Sequence, residues 1–253
     1  MTDSRPAALE EAVGICEDAA DEGITIRLAG GLAVQYLTPE FPPRGGDRQD
    51  LDLATSSSDR RQLTRFLADR GYVGDKNFNA LYGHKQLYFQ SAQTGRSLDV
   101  LIDRLHMCHT VEFKDRLRRM PVTLDLSDLL LTKLQIVELN EKDAQDVLYL
   151  CSAYPVRDGD EPGTIGLDRI RPIVGNDWGW WRTVTLNLNH IIALASGDSQ
   201  RLVPAGAKHS AVEQLGVLSK AIETVPKSLR WKARAKVGER VRWYEMPEET
   251  AHH

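Results

Sequence analysis

Residues 25–37 of the chain read TIRLAGGLAVQYL, and residues 50–53 read DLDL. The first stretch is β-prone over residues 25–29, is interrupted by Gly30 and Gly31, and then has helical composition. The second stretch alternates acidic and apolar residues, as a strand with one polar face does. Together they predict a strand, a glycine turn and a helix, followed by a strand that carries Asp50 and Asp52 on one face.

Three acidic residues fall in predicted strands. Asp50 and Asp52 are two positions apart, so their side chains project to the same side of a strand, about 6–7 Å from each other. Asp99 lies in a second predicted strand between Leu98 and Val100, where an uncompensated charge would be costly. Because oxygen-only ligands favour Mg²⁺ or Mn²⁺ over zinc, the three aspartates predict a magnesium site.

The glycine pair predicts phosphate binding. Between a strand and the start of a helix, Gly30 and Gly31 let a phosphate approach backbone N–H groups and the positive end of the helix dipole. The sequence contains neither a P-loop nor a Rossmann fingerprint. Combined with the aspartates, the pair is typical of metal-dependent transfer from a nucleoside triphosphate.

The remaining patterns predict an α+β chain in two parts. Helices are predicted at residues 6–20, 58–70, 127–139 and 141–151, and an antiparallel hairpin at residues 84–90 and 97–102. A stretch rich in Pro, Gly and Asp predicts a linker at residues 155–166. This linker would divide an N-terminal domain, residues 1–154, from a mainly helical C-terminal domain, residues 167–253.

Composition limits the classes of function. The chain has 253 residues and a formal net charge of -4, which argues against a globally basic nucleic-acid binder but permits a local basic patch. Cys16, Cys108 and Cys151 are far apart and form no C-x-x-C pair, so we expect buried structural cysteines rather than disulfides or a zinc ribbon. Without a signal peptide or a long apolar run, the chain is expected to be cytoplasmic and to lack membrane partners.

A histidine pair and a tryptophan cluster each have two interpretations. His106 and His109 could form a metal pair, but without a third ligand they are more typical of surface or core-edge histidines. Trp178, Trp180 and Trp181 could stack on a nucleic-acid base, although core packing is the commoner use of tryptophan.

A basic segment lies near the C-terminus. Residues 227–242 contain seven Lys and Arg residues and a single acidic residue, Glu239, with Trp231 among them. Such a local positive field suits a phosphate backbone, and equally a solvated helix face or an acidic partner. A polymer acceptor such as tRNA would fit it better than a small cationic drug.

These motifs resemble the nucleotidyltransferase superfamily with the DNA polymerase β-like fold. LAGGLAV at residues 28–34, DLDL at 50–53 and LDV at 98–100 match its glycine turn, D-x-D strand and later strand aspartate. LLTKL at residues 130–134 and EKDAQDV at 141–147 look like the third and fourth motifs of the AbiEii and MenT type nucleotidyltransferase toxins.

The resemblance covers roughly residues 20–155 and departs from the toxin group at two positions. That group typically carries arginines where this sequence has Gly46 and Asn140. Arg44 or Arg48 could supply the first positive charge from a neighbouring loop position.

The resemblance implies transfer of a nucleotide from an NTP to an acceptor hydroxyl, with two Mg²⁺ ions and release of pyrophosphate. It implies metal binding by Asp50, Asp52 and Asp99, which with Lys133 form the catalytic set. The nucleotide-binding residues it implies are Gly30, Gly31, Arg48, Lys133, Lys142, Asp143 and Asp146. The implied acceptor is RNA, such as the tRNA acceptor end, or a protein, with a cognate antitoxin as partner.

Two alternatives remain. An aminoglycoside-type enzyme shares the first three motifs and would use a small-molecule acceptor. A non-catalytic protein of the same fold would bind nucleotide or RNA without turnover, and the missing arginines at Gly46 and Asn140 motivate this second alternative.

Overall fold

The computed structural model describes residues 6–42, 49–196 and 202–246. Contacts between residues divide the chain into two compact units. The first unit contains the described residues up to Leu105 together with Glu112–Asp125. The second contains His106–Val111 and the described residues from Leu126 onward.

The first unit is built around a mixed β-sheet. Its elements are α1 (Ala7–Asp21), β1 (Ile26–Leu28), α2 (Gly30–Leu37), β2 (Leu51–Thr55), α3 (Arg60–Asp69), β3 (Tyr72–Gly74), α4 (Lys76–Tyr82), β4 (Gln86–Ser91) and β5 (Ser97–Ile102). The strands are ordered β1-β2-β5-β4-β3. Strands β2 and β5 are parallel, whereas β1–β2, β3–β4 and β4–β5 are antiparallel. The predicted mixed sheet with helices and the predicted β4–β5 hairpin are confirmed.

The two faces of this sheet differ in the polarity of their side chains. One face is apolar and buried, and consists of Ile26, Leu28, Leu51, Leu53, Leu87, Phe89, Leu98 and Val100. Burying each large apolar side chain contributes about 1.5–3 kcal/mol. The alternate positions of β2, β4 and β5 carry polar side chains, including Asp52, Gln86, Tyr88 and Asp99. This alternation makes one face the core and the other a polar surface.

A strained residue ends β5. Asp103 has φ +62°, a left-handed conformation that is uncommon for a residue other than glycine. Its Oδ1 accepts a hydrogen bond from the Ser57 N–H at 2.8 Å. Its backbone carbonyl accepts from the N–H groups of Phe113 and Lys114, each at 3.0 Å. These bonds hold the turn from which strands β6 (Arg104–His106) and β7 (Thr110–Glu112) continue.

The second unit is mainly helical in its described part. Its elements after β6 and β7 are α5 (Leu126–Leu134), α6 (Glu141–Ala153), β8 (Val156–Arg157), β9 (Ile165–Gly166), α7 (Leu167–Asn176), α8 (Trp178–Ser196), α9 (Ala205–Thr224) and α10 (Leu229–Val237). The helices predicted near residues 127–139 and 141–151 correspond to α5 and α6.

The division between the units differs from the predicted boundary. The predicted linker, residues 155–166, contains β8 and β9, which pair in parallel with each other. The Gly166 N–H donates to Ser127 Oγ at 2.8 Å, which anchors this stretch to α5. Because Gly and Pro mark turns rather than missing contacts, the stretch packs inside the second unit. Helices α5 and α6, placed in a domain 1–154 by the sequence, therefore belong to the second unit.

Cys16, Cys108 and Cys151 are free and buried, as predicted. Burial raises the pKa of the Cys16 thiol and of the Cys151 thiol to about 12, so both stay protonated and unreactive at neutral pH. Within the described ranges, every helix is too short or too polar to cross a lipid bilayer.

Candidate functional site

Two aspartates lie side by side on the polar face of the first unit's sheet. Parallel pairing of β2 with β5 places Asp52 in register with Asp99. Adjacent strands lie about 4.7–4.9 Å apart, and residues in register project to the same face. Both side chains are partly exposed. Two carboxylates at this spacing repel each other, so a cation bound between them would be favoured.

Strand β4 supplies polar neighbours to this pair. Gln86 Nε2 donates a hydrogen bond to Asp99 Oδ1 at 2.7 Å and so orients this carboxylate. Tyr88 is in register with Asp99, and its hydroxyl lies 3.0 Å from Ser97 Oγ. Neither residue is among the site residues predicted from the sequence, although Gln86 and Tyr88 alternate with apolar residues as the polar positions of a strand do.

The glycine turn lies against Asp52. Gly30 has φ +60°, and a Cβ at this position would lie 2.0 Å from Asp52 Oδ2. The Ala29 N–H donates to the Asp52 carbonyl at 2.8 Å, which joins the turn to β2. Helix α2 begins at Gly30, so the unpaired N–H groups of its first turn start beside Asp52. Only glycine therefore lets the turn lie this close to the Asp52 carboxylate.

Asp50, the third predicted metal ligand, does not lie within β2 beside Asp52. Asp50 is exposed and lies immediately before β2. No group of three or more His, Cys, Asp or Glu side chains is arranged to hold a metal ion within the part of the chain that the structure describes. The structure therefore brings Asp52 and Asp99 together, and the role of Asp50 stays a prediction. Arg44, Gly46 and Arg48 lie outside the described residues.

The chemistry of the Asp52 and Asp99 side chains fits magnesium. Mg²⁺ is usually held by one or two carboxylates and completes its octahedral shell with water and substrate phosphates. Carboxylate oxygens without imidazole or thiolate neighbours also disfavour zinc. The donor set thus suits a cation that arrives with a phosphate-bearing substrate.

A buried cation occupies the same face of the sheet. Arg27 pairs with Ala54, and Ala54 is two residues from Asp52, so strand geometry puts all three on one face. Arg27 is only 8% exposed, and burial lowers its pKa. Arginine nevertheless remains charged in proteins. Arg27 is not among the site residues predicted from the sequence. The alternation of Ile26, Arg27 and Leu28 in β1 was the available signal.

The second unit contains a buried ion cluster. Lys133 Nζ lies 2.7 Å from Asp143 Oδ1 and 3.0 Å from Asp146 Oδ2. Asp146 is fully buried. Burial would lower the pKa of Lys133, but the charges of Asp146 and Asp143 outweigh it, and the pKa is raised. The structure thus gathers three of the predicted nucleotide-binding residues, with the ammonium charge already matched by two carboxylates.

Asn140 organises this cluster from the start of α6. Its Oδ1 accepts from the Asp143 N–H at 2.9 Å, and its Nδ2 donates to Asp143 Oδ2 at 2.7 Å. An N-cap of this kind contributes about 1 kcal/mol. The position at which the toxin group carries an arginine therefore serves here as a helix cap that holds Asp143 towards Lys133. Lys142, the next predicted contact, is exposed.

His106 and His109 do not form a metal site. His106 Nε2 lies 2.8 Å from Glu245 Oε2. His109 is buried, its Nε2 lies 2.8 Å from Thr183 Oγ1, and its ring stacks on Trp180 with centroids 4.8 Å apart. Burial lowers the pKa of His109 to about 4, which keeps the ring neutral at physiological pH.

The tryptophans predicted as either stacking or core residues pack internally. Trp178 and Trp180 are buried. Trp178 meets Trp243 edge to face at 5.9 Å, and Trp181 meets Trp231 edge to face at 5.2 Å. These rings form an aromatic network within the second unit.

Comparisons with known proteins give weak likenesses. No protein-family profile matches the sequence, and no curated protein matches it. An antigenic nucleotidyltransferase-like protein from Paracoccidioides brasiliensis has a TM-score of 0.44 and 12% identity, over 87% of this chain and 94% of that chain. A tRNA-processing enzyme in an apo form has a TM-score of 0.29 and 13% identity, over 92% of this chain and 64% of that chain. Both TM-scores are low, so neither likeness indicates the activity of this chain.

Replacement of Gly30 by alanine is expected to destabilise the protein by more than about 1–2 kcal/mol, the usual cost of a left-handed residue. The added Cβ would also overlap Asp52. Chemical denaturation measures the change. Gly95→Ala is the matched control, because Gly95 has φ +69° and nothing within 4 Å of an added Cβ. Equal losses in the two variants would show that Gly30 does not press against Asp52.

Replacement of Lys133 by methionine leaves two carboxylates without their cation, one of them fully buried. We expect a loss of about 3–5 kcal/mol in the free energy of unfolding. Lys142→Met, at an exposed position of the neighbouring helix, should change stability by no more than about 0.5 kcal/mol. A similarly small effect at Lys133 would contradict a buried ion cluster.

Stability is expected to fall as pH drops from about 6.5 to about 4 because of His109. In this window the unfolded histidine binds a proton and the folded one does not, so acid favours unfolding by on the order of 3 kcal/mol in total. Urea denaturation across the window should show a smaller pH dependence for His109→Gln than for the unaltered protein. Identical slopes would contradict burial of a neutral ring.

Proposed function

We propose that this protein is a nucleotidyltransferase that moves a nucleotide from an NTP to an acceptor hydroxyl. One observation carries the proposal: Gly30 at the start of α2 lies against Asp52, and Asp52 is in register with Asp99. A helix N-terminus favours phosphate groups, and paired carboxylates favour the divalent cation that accompanies a triphosphate. Both features occur on one face of one sheet.

In this proposal Asp52 and Asp99 hold Mg²⁺, and Asp50 joins them as the third carboxylate of a two-ion site. A bound Mg²⁺ would neutralise negative charge on the triphosphate and on the departing pyrophosphate. Mn²⁺ suits the same oxygen ligands.

The chain's own residues have separate tasks. Gly30 and Gly31 leave room for the phosphates beside the N–H groups of α2. Gln86 orients Asp99, which accepts the proton of the acceptor hydroxyl as its oxygen attacks the α-phosphorus. The bond between the α-phosphorus and the bridging oxygen breaks, and pyrophosphate leaves with the electron pair.

Lys142 and Lys133 differ in what they can offer a triphosphate. Lys142 is exposed, whereas the charge of Lys133 is matched by Asp143 and Asp146. Of the two lysines, Lys142 is therefore the one whose ammonium group an anion can reach, and a phosphate contact by Lys142 or by Arg48 rests on the motif resemblance alone. Lys133, Asp143 and Asp146 form a charged cluster within the second unit, and their part in nucleotide binding likewise rests on the motif resemblance.

The proposed acceptor is RNA. The basic segment, residues 227–242, supports an acceptor with a phosphate backbone on a chain whose net charge is -4. Action on tRNA as a toxin, with a cognate antitoxin, is the finer form of this proposal and rests on the motif resemblance of residues 130–134 and 141–147.

One observation favours a second candidate, a non-catalytic nucleotide- or RNA-binding protein. Asn140 serves as a helix cap at a position where the toxin group carries an arginine, so one expected triphosphate contact is replaced by a structural one. An inactive binder would retain the carboxylate pair and the glycine turn without turnover.

The test is incubation of the purified protein with Mg²⁺, each NTP radiolabelled at its α-phosphate, and total tRNA, cell protein or an aminoglycoside. We expect label to enter RNA. Asp52→Asn with Asp99→Asn should lower transfer at least about a hundredfold, since losing one stabilising group at a reacting centre already costs that much. Asp69→Asn, an exposed carboxylate of α3, is the matched control and should leave transfer unchanged.

Other results would redirect the proposal. Label on protein or on the aminoglycoside would overturn RNA as the acceptor. Absence of transfer, together with Mg²⁺-dependent NTP binding that is lost in the variant Asp52→Asn with Asp99→Asn, would favour the non-catalytic candidate instead.

A further inference from the structure

A cavity of about 680 Å³ lies within the second unit. Its walls come from parts of three stretches, residues 106–110, 176–180 and 230–245, and from the last of these only residues 230, 234 and 242–245 line it. The volume falls within the roughly 300–1,000 Å³ typical of small-molecule sites. The cavity shares no residue with the face of the first unit's sheet that carries Asp52 and Asp99, or with the Lys133 cluster. Its arginines belong to the basic segment, residues 227–242, but the cavity itself has no role in the proposed transfer reaction.

One wall of the cavity is aromatic. Trp178, Trp180, Trp243 and Tyr244 line it. Trp178 and Trp180 are buried, whereas Trp243 and Tyr244 are partly exposed. Trp243 Nε1 donates to Thr183 Oγ1 at 3.0 Å, which fixes the orientation of this ring. The cavity thus presents a rigid aromatic surface against which a flat ring can stack.

Three arginines complete the wall. The Arg234 guanidinium lies 4.8 Å from the Trp178 ring centroid and donates to the Gly238 and Val241 carbonyls, each at 2.6 Å. This arginine therefore fastens the chain after α10. Arg230 and Arg242 are exposed, and within the described ranges neither pairs with a carboxylate. Two guanidinium groups consequently remain available to an anionic ligand.

The carboxylates of the lining are already engaged. Asp177 Oδ1 accepts from the Trp180 N–H at 3.1 Å, at the start of α8. Glu245 Oε2 lies 2.8 Å from His106 Nε2. The acidic residue of the basic segment, Glu239, contacts the Arg182 guanidinium at 2.6 Å. The lining contains three arginines and two carboxylates, so its net charge is positive, which disfavours a cationic ligand.

We propose that this cavity binds a nucleotide, with the base against Trp243 and Tyr244 and the phosphate at Arg230 and Arg242. Guanidinium groups bind phosphate through paired hydrogen bonds, and every nucleobase has a face that stacks on an aromatic ring. An acidic peptide would use the arginines but not the aromatic wall. The nucleotide is either free or one unit of an RNA strand, and its binding does not depend on the transfer reaction.

The experiment titrates the full chain, in EDTA, with AMP and with a short single-stranded oligoadenylate RNA, by calorimetry and tryptophan fluorescence. Arg230→Glu with Arg242→Glu should weaken binding of both probes at least about tenfold, because two charge-assisted contacts become repulsive. Lys232→Glu with Lys236→Glu makes the same change of charge on α10 outside the lining and should weaken binding less than about threefold. Circular dichroism verifies that both double variants fold.

The base-stacking part has its own variant. Tyr244→Leu removes a partly exposed ring without a charge change and should weaken AMP binding. Because the Arg242 guanidinium lies 5.7 Å from the Tyr244 ring centroid, binding of inorganic pyrophosphate is measured in the same variant and should fall less than AMP binding. An equal loss for both probes would overturn base stacking on Tyr244. Pyrophosphate or polyglutamate binding as tightly as AMP would overturn the proposal, since the aromatic wall would then have no part in recognition.

The other results of the titration identify the ligand or overturn the proposal. Tighter binding of the RNA than of AMP assigns the cavity to an RNA strand, and equal binding assigns it to a free nucleotide. Equal losses in the two double variants, or no binding of either probe, would overturn the proposal. The variant Asp52→Asn with Asp99→Asn should bind both probes normally, so failure of the transfer assay and failure of this inference are distinguishable.

Discussion

Parallel pairing of β2 with β5 is the constraint on which the first unit depends. It places Leu51 and Leu53 beside Leu98 and Val100 in the core, and in the same register it places Asp52 beside Asp99 on the opposite face. A slip of β2 by one residue would turn Leu51 and Leu53 to the polar face and Asp52 into the core, so the pairing of Asp52 with Asp99 would be lost. The stability of the core and the geometry of the carboxylate pair are therefore set by one interaction.

Buried charges are compensated by specific partners in each unit. In the first, Asp125 is 1% exposed and lies 2.9 Å from Arg116 and 3.0 Å from Arg119. In the second, Asp143 and Asp146 hold Lys133. Such clusters favour a single arrangement of the chain, because any other packing leaves an uncompensated charge in a poorly solvated place. Asn140 extends this logic, since it caps α6 and orients Asp143 at once.

The proposed sites of the two units use side chains of opposite charge. The carboxylate face offers oxygen ligands to a cation, with a helix N-terminus beside them for phosphate groups. The cavity of the second unit offers guanidinium groups and aromatic rings without a cation. In the two proposals both sets of groups bind nucleotides, one through a metal-bound triphosphate and the other through direct contact with phosphate and base.

The sequence by itself determined where the strands with polar positions lie, because side chains alternate every two residues and D-L-D-L and L-D-V display that period directly. Short elements such as β3 and α4 show too few periods to be found this way. Only the tertiary structure decided the β2–β5 register, the contact of Gly30 with Asp52 and the cavity, whose walls span residues 106–245. It also moved the boundary from residues 155–166 to Asp125 and Leu126. Local composition reports turns and periodicity, whereas these features arise from packing between residues far apart in the chain.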